Sequence, residues 1–584
     1  MARVAIAERG KLRATSLRRG VHRFVGRVKS LVTVLTTLPG RADHLVIAPQ
    51  DLRTADPTRA AEIYGGRFAF AGKVVVCDGR SPFDVIEPSE EWAEALLSFG
   101  WLRHLRAEDT FIARKNAYSL VDEWMSMQRS YRGVAWQPDV LSRRIISWLS
   151  QAPLILDAAD ERFYRRFIRS LTRQVQFLHS TARDAQAGVP RLQAQIALTY
   201  ASLCIASQLR NLNKVARRLV VELDRQVLPD GGHLSRNPAA VIELLLDLLP
   251  LTQAFAARNL VPPPALLNAV DRMMPMLRFF RHGDGSFALF NGMGPTPPDL
   301  VATLIAYDDT RGAPVHNAVH SGYQRIEAGA AVVLMDTGKS PPVGMSRDAH
   351  AGCLSFELSA RAQRIVVNCG MPATGRENWR DHARSTAAHS TVTFNDTSSC
   401  RFLETGSYRR QAGVPITAGP TRVKIERQTA EDGATILRAS HDGYLRFSVI
   451  HQRTIVLATD GTRLDGEDLF LSSKGETLPA KVPDAFALRF HLHPAVRATR
   501  LSDGHGAMLV LPGRELWNFH AYEDVVEIED SAFLGGPDGP RRSQQIVIRG
   551  HARQTPRLRW YFEHAPTAAR ARASTRGQEP ELPL

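Results

Sequence analysis

Three stretches of this 584-residue chain concentrate side chains able to move protons or grip anions. The first, DGGHLSRNP (230–238), sets His233, Arg236 and Asn237 just ahead of Pro238. Proline there suits the first turn of a helix. Helix N-termini favour anions, so a carboxylate or sulfate could dock against Arg236. Asn237 is equally a conventional N-cap, and His233 a helix-start residue. The second stretch runs from Asp348 and His350 to Arg384 and His389. Imidazoles serve as general acids and bases, and an arginine fork grips a carboxylate at two points. Hydrogen-bonded sandwich histidines are the plain alternative. The third is the tetrapeptide His441, Asp442, Gly443, Tyr444, followed by His451. A tight Asp-Gly turn would present His441 and Tyr444 together at a sheet rim, unless the pair is a packed hairpin corner. His491 and His493 alternate on one strand and share a face, which reads as packing or solvent exposure.

Two kinds of element must position these groups. From Glu90 to about Phe280, segments such as VLSRRIISWLSQAPLIL and FYRRFIRSLTRQVQFLHS repeat apolar residues at i, i+3, i+4 and i+7. Successive helices with short breaks form antiparallel hairpins, and several hairpins must close on one another as a bundle or an α/α toroid. Trp124, Trp148, Phe163 and Phe167 read as its core, and Arg143 and Arg144 as a surface pair of which one could face a cleft. After about Pro314 the texture becomes short β-branched runs punctuated by Gly and Asp-Gly, ten or more strands of an antiparallel sandwich. IYGGRFAFAGKVVV reads as a small opening hairpin. Residues 279–299, rich in Gly and Pro, form the connection, from which His282 and Asn291 could approach a cleft between the halves. The fold class is therefore α+β and multidomain. Its divisions are a basic arm (1–55), a helical domain (56–300), a sandwich domain (301–565) and a disordered tail (566–584).

Composition narrows the function classes. With 44% hydrophobic and 23% charged residues the chain is globular, which excludes collagenous, coiled-coil and wholly disordered readings. No apolar run approaches the ~18–20 residues of a membrane-spanning helix. Five dispersed cysteines without a CxxC pair read as buried thiols. Net charge is +15, and 65 of the 74 basic residues are arginine, so an anionic partner is expected. Nine Lys/Arg and one Glu fall within residues 1–30, an arm that is either solvated or laid peripherally on a membrane surface. It makes a poor export signal. No aromatic interleaving marks a nucleic-acid surface, so none is expected.

The order and spacing of three motifs resemble the heparinase II/III-like family of polysaccharide lyases. DGGHLSRNP resembles the family's turn before a toroid helix. HAGCLSFELSARAQRIVVNCG (350–370) resembles its first sandwich hairpin. RSTAAHSTVTFND (384–396) resembles its Arg…His-Asn-Thr strand, with Ser390 in place of the Asn. WLRHLRA and the Trp136, Pro138, Arg143, Arg144 pattern add to it. The resemblance implies an N-terminal α/α toroid, an incomplete barrel of helical hairpins, followed by an antiparallel β-sandwich. It also implies β-elimination on a uronate-containing chain. There a base removes the C5 proton beside a neutralised carboxylate, and an acid protonates the departing O4.

Carried over residue by residue, the family's machinery departs in several places. Ala240 stands where relatives place a catalytic Tyr, and Ala194 and Gln195 where they place Asn-His, with Tyr200 on the same helix. Asp348 stands at a sandwich His position. The zinc-ligand places read His350, Asn368 and His389, and neutral Asn is a poor zinc ligand. The expectation is a lyase-like enzyme on an acidic polysaccharide such as heparan, hyaluronan or alginate, with a departed catalytic set. Its candidates are His233, Arg236, Asn237, Asp348, Arg384, His441 and Tyr444, with Zn2+ as the possible cofactor at His350, Asn368 and His389. The alternative is a non-catalytic anionic-glycan-binding protein on the same scaffold. The resemblance points to the cell envelope or periplasm, and the missing export signal to the cytoplasm.

Overall fold

The computed structural model describes residues 43–565 apart from 128–132, 158, 308–313, 374–376, 404–413, 473–477 and 479–481. The arm through residue 42 and the tail from 566 lie outside the described residues.

Among the described residues twelve α-helices build the first half: α1 (Pro57–Tyr64), α2 (Glu90–Leu97), α3 (Leu102–Glu108), α4 (Phe111–Met127), α5 (Pro138–Ser150), α6 (Ala152–Leu156), α7 (Glu161–Thr181), α8 (Val189–Cys204), α9 (Leu212–Gln226), α10 (Ala239–Ala257), α11 (Pro264–Phe279) and α12 (Pro298–Ala306). Their starts follow local chemistry. Asp56, Ser89 and Asp160 accept from backbone N–H groups of the first turns of α1, α2 and α7, satisfying donors a helix cannot pair internally. The opening hairpin pairs Arg67–Phe70 with Lys73–Val76. Inner helices α5, α8 and α10 are buried along most of their length. α10 is long and apolar enough to cross a membrane by length and composition, contrary to the sequence reading, but most of it is buried in the toroid core.

The arm boundary moves: residues 43–55, assigned to the arm from sequence, dock on the toroid. Leu45 bridges Ile205, and Arg53 pairs with Asp247 at 2.9 Å. Apolar Leu45, Ile47 and Leu52 pack against the core, which holds them there.

The second half is a sandwich of two antiparallel sheets. One sheet of nine strands runs from Val526–Phe533 through Arg541–His551, Ala485–Leu492, Gln363–Val367, Phe356–Ala360, Ala331–Asp336 and Tyr323–Ala328 to Asn317–Ala318, with Val392–Phe394 paired to Ala485–Leu492. The other, of eight strands, runs Val423–Thr429, Thr435–His441, Val449–Leu457, Arg463–Ser472, Arg557–Ala565, Leu516–Ala521, Gly506–Val510, Arg497–Arg500. Strict alternation along Val449–Leu457 buries every second side chain between the sheets. Phe356 and Trp560 stack there with centroids 5.5 Å apart. A short helix, α13 (Glu377–Ala383), lies on a connection of the first sheet. Ala318, Tyr323, Leu334, Val367 and Phe533 of the sandwich belong to the helical core cluster, which therefore extends across the junction, while the interior between the sheets is a separate apolar core.

Trp124, Trp148, Phe163 and Phe167 are core, as expected, and all five cysteines are buried free thiols. Arg144 is not on the surface. It is fully buried over the Trp124 ring and donates to Gln174 and the carbonyls of Leu97 and Ala135. Three acceptors and an indole face substitute for its hydration. Arg143 is likewise committed, to Asp247 at 2.7 Å and Glu243 at 3.2 Å.

Candidate functional site at the junction of the two halves

The Asp-Gly-Gly turn clasps toroid to sandwich. Gly231 has φ +86°, and a Cβ there would fall 1.8 Å from the Arg272 carbonyl oxygen. A Cβ on Gly232 would fall 2.5 Å from that of Ser321. Only glycine permits both the left-handed backbone and the close approach. The Asp230 carboxylate then accepts from Gly232 N–H and, across the junction, from Ser321 N–H at 2.7 Å.

The side chains that follow are committed inward. Ser235 N–H donates to His233 Nδ1, so Nε2 carries the proton and donates to Gln226 Oε1 at 3.0 Å. Burial holds this imidazole down to about 4. Arg236 lies flat over Gly338 and donates to the carbonyls of Ser321, Gly322 and Lys339 and to Asp336 Oδ1. It is therefore a structural guanidinium with no donor face turned to a ligand. Asn237 Oδ1 accepts from Ala239 N–H, the capping role its position suggested.

Asn291 ties this turn to the sandwich. Its amide donates to Tyr323 Oη at 2.7 Å and Asp336 Oδ2 at 2.9 Å, while Oδ1 accepts from His350 N–H. The next residue, Gly292 (φ +96°), is wedged between Asn237 and Asp348: a Cβ there would meet both at 2.9 Å. The structure thus brings Asn237, Asn291, Asp348, His350 and His389 together.

Within that group a single proton order accounts for every ring nitrogen. Gly292 N–H donates to His350 Nε2 at 3.1 Å, so His350 Nδ1 holds the proton and donates to His389 Nε2 at 2.8 Å. His389 Nδ1 in turn donates to the Ser385 carbonyl at 2.7 Å. Burial pushes His350 well below its usual range and His389 down to about 4. Both are neutral rings with no lone pair left for a substrate proton.

The remaining candidates are placed elsewhere or occupied. Arg384 donates to the carbonyls of Ala349 and Ser346 and covers the Phe402 ring at 4.7 Å; burial lowers it to about 10. Asp348 is solvent-facing and ion-paired with Arg380 of α13. His441 and Tyr444 are not at a rim. His441 Nδ1 accepts from Gly443 N–H, and Tyr444 Oη donates to the Val392 carbonyl inside the sandwich. The ring contacts of Tyr444 with Phe394 and of His441 with His451 explain the inward turn: a phenyl-sized surface is worth more buried than exposed. His282 is fully buried against Glu357, and His491 donates from Nε2 to the Ala387 carbonyl while its Nδ1 accepts from the Ser531 hydroxyl.

The zinc places do not fit the metal. Asn368 is turned to its own network, donating to Glu357 and accepting from Ser390 N–H. Two nitrogens on one tetrahedral zinc stand about 3.3 Å apart, given bonds of about 2.0–2.1 Å. The His350–His389 contact is a hydrogen bond. Among the described residues no group of three His, Cys, Asp or Glu side chains could hold a metal ion.

Sequence reasoning did not single out Gln226, Tyr323, Asp336 or Glu357, which organise the junction. Glu357 sits within the quoted CLSFELSA run, where a carboxylate between apolar neighbours on a buried strand was the available signal.

Comparison with known proteins agrees with this architecture. The crystal structure of heparinase III superposes with a TM-score of 0.66 at 13% identity, over 85% of this chain and 80% of that one. A mutant of heparan sulfate lyase HepC from Pedobacter heparinus gives 0.61 at 14% identity, over 96% and 90%. At such identity these show the fold. FtsZ-localized protein C of Caulobacter vibrioides (strain NA1000 / CB15N) is 31% identical over 538 residues, 90% of this chain and 91% of that protein. The model of the heparinase II/III-like C-terminal region matches residues 310–561. By toroid, sandwich and sequence alike, the chain belongs to the heparinase II/III-like family.

Proposed function

We propose that this chain is a non-catalytic member of the heparinase fold that localises with FtsZ and holds partners where its relatives cleave a polysaccharide. One observation carries the first part: all four ring nitrogens of His350 and His389 are used internally, from Gly292 N–H to the Ser385 carbonyl. An elimination needs a base with a free lone pair beside the C5 proton, and that pair offers none. Asp348, the exposed carboxylate of the group, is neutralised by Arg380. The FtsZ part is supported by the name of a relative that is 31% identical over nearly the whole chain. A chain that meets FtsZ sits on FtsZ's side of the membrane, which favours the cytoplasmic alternative. The basic arm, residues 1–30, would add peripheral contact with that membrane's surface.

The test has two readouts. Purified protein incubated with heparan sulfate, chondroitin sulfate, hyaluronan and alginate is expected to give no rise in the ultraviolet absorbance of an unsaturated uronate; a rise would restore the lyase reading. A fluorescent fusion is expected to coincide with FtsZ in dividing cells, and a uniform distribution would remove that half of the proposal.

A second reading, a groove that holds an acidic glycan, is favoured by Trp379. It is 43% exposed on α13 beside Arg380, an aromatic face next to a guanidinium at the edge of the junction. Saturable heparan sulfate binding that Trp379→Ala abolishes would establish it, and absent binding would dismiss it.

A further inference from the structure

The outer wall of the toroid carries charge that the junction does not use. On α7, Arg162, Arg165, Arg169 and Arg173 are exposed at spacings of three, four and four, a single stripe about 16 Å long. Arg165 pairs with Glu161; among the described residues no carboxylate lies within ion-pair distance of Arg162, Arg169 or Arg173. The neighbouring outer helix α9 repeats the pattern with Lys214, Arg217 and Arg225, interrupted by Val221, which is 64% exposed. The two helices are close enough for Lys214 and Arg218 to depress His179 of α7, whose burial is the larger cause. Glu222 and Asp224 are the acids of α9, and Glu222 accepts from Gln226.

Two further observations point to what this wall meets. The chain leaves the arm at its foot: Leu45 N–H donates to the hydroxyl of Tyr164, which lies between Arg162 and Arg165 on α7. At the same end, Phe111 and Ile112 at the start of α4 are 71% and 63% exposed. They are held there by Arg114, which bridges to Asp157 just ahead of α7. Exposed apolar side chains beside unpaired cations suit a lipid interface, where the apolar groups enter the headgroup layer and the cations meet anionic lipid. An acidic protein would be met by the cations alone.

We propose that the α7–α9 wall, with Phe111 and Ile112 at its foot, is a docking surface for an anionic phospholipid membrane. It deepens, and rests on, the reading of the arm as a membrane contact by giving the folded body its own share of the binding. The experiment uses the full-length chain with vesicles of phosphatidylcholine alone or mixed with phosphatidylglycerol. Sedimentation is expected to show binding only to the mixed vesicles and weakening with salt. Removing three cations by Arg162→Gln, Arg169→Gln and Arg173→Gln together should cut partitioning about a hundredfold, at roughly fivefold per residue. Glutamine keeps helix propensity, and an unchanged thermal melt verifies the fold. Phe111→Ser with Ile112→Ser should lower the binding that survives high salt. Wild-type binding that the triple variant leaves unchanged would overturn the wall and keep the arm. No wild-type binding to mixed vesicles would overturn both. Capture of polyglutamate by the wild type, lost in the triple variant while vesicle binding persists, would assign the wall to an acidic protein and overturn the lipid reading.

Discussion

Arg236 of the toroid turn and Asp336 of the sandwich form a buried ion pair of 2.5 Å across the junction, both side chains being under a tenth exposed. Opposite charge and a direct hydrogen bond hold the guanidinium above its ordinary value despite burial. Three carbonyls satisfy its other donors, and the Asn291 amide with Gly338 N–H satisfies the carboxylate. A residue the sequence suggested for anion binding therefore spends its fork on the chain itself.

Breaking that pair should loosen the two halves. Arg236→Met leaves a buried carboxylate with two neutral donors, and removal of one partner of such a pair costs about 3–5 kcal/mol. Urea unfolding should show the midpoint falling accordingly, with Arg236→Met/Asp336→Leu recovering part of the loss. A change below about 1 kcal/mol, the scale of an exposed pair, would contradict the assignment.

Acid should destabilise the protein through its neutral histidines. The folded-state values of His233 and His389 are depressed to about 4 by burial, and that of His491 to about 3. Between those values and the unfolded value of about 6.5 the unfolded chain binds more protons, so stability is present above that value and lost as pH falls toward 4. The rings held at about 4 contribute up to about 3 kcal/mol each and His491 up to about 5, at roughly 1.4 kcal/mol per unit. Melting temperature recorded from pH 7.5 to 4.5 should fall, and His389→Gln should flatten the slope while lowering the plateau. An unchanged slope would mean that His389 is not held neutral by burial.

The Asp-Gly-Gly clasp should tolerate no side chain at its second position. Gly231→Ala forces a Cβ onto the Arg272 carbonyl at positive φ, so backbone must move. Gly79→Ala, also at positive φ but with nothing within 4 Å, serves as the strain-only control. The expected result is a melting temperature lowered well beyond that of the control.

Much of the architecture could be read from periodicity, because apolar spacing reports which face of a helix or strand is buried. The α7 stripe of Phe163, Phe167, Leu171 and Val175 and the alternation of Val449–Leu457 are plain in the sequence. The clustering of Asn237, His350 and His389 was also accessible, through motifs whose order matched a known family. What periodicity cannot carry is direction. His441 and Tyr444 could flank a turn whether they faced solvent or the sandwich core, and the balance was set by Phe394, fifty residues away. Arg144 beside Arg143 looked like a surface pair because nothing local announces three distant acceptors. The docking of residues 43–55 on the toroid was missed for a similar reason: the bridge from Leu45 to Ile205 joins segments 160 residues apart.

Glu94 should respond to pH with the opposite sign to the histidines. It is half-buried on α2, and burial, with Asp139, Glu90 and Glu91 adding repulsion against weak relief from Arg347, pushes it up to about 7. A carboxyl whose folded value exceeds the unfolded one binds its proton more readily in the native state, so its ionisation costs stability above about pH 7 and nothing below about 4.5. Partial exposure screens the effect to about 1 kcal/mol or less. Glu94→Gln should therefore raise the melting temperature at pH 8 by about one degree and leave it unchanged at pH 4.5, where the native carboxyl is already neutral. A gain of equal size at both values would mean that packing, not charge, governs the site, and a loss at pH 8 would mean that the Arg347 attraction outweighs the three neighbouring carboxylates.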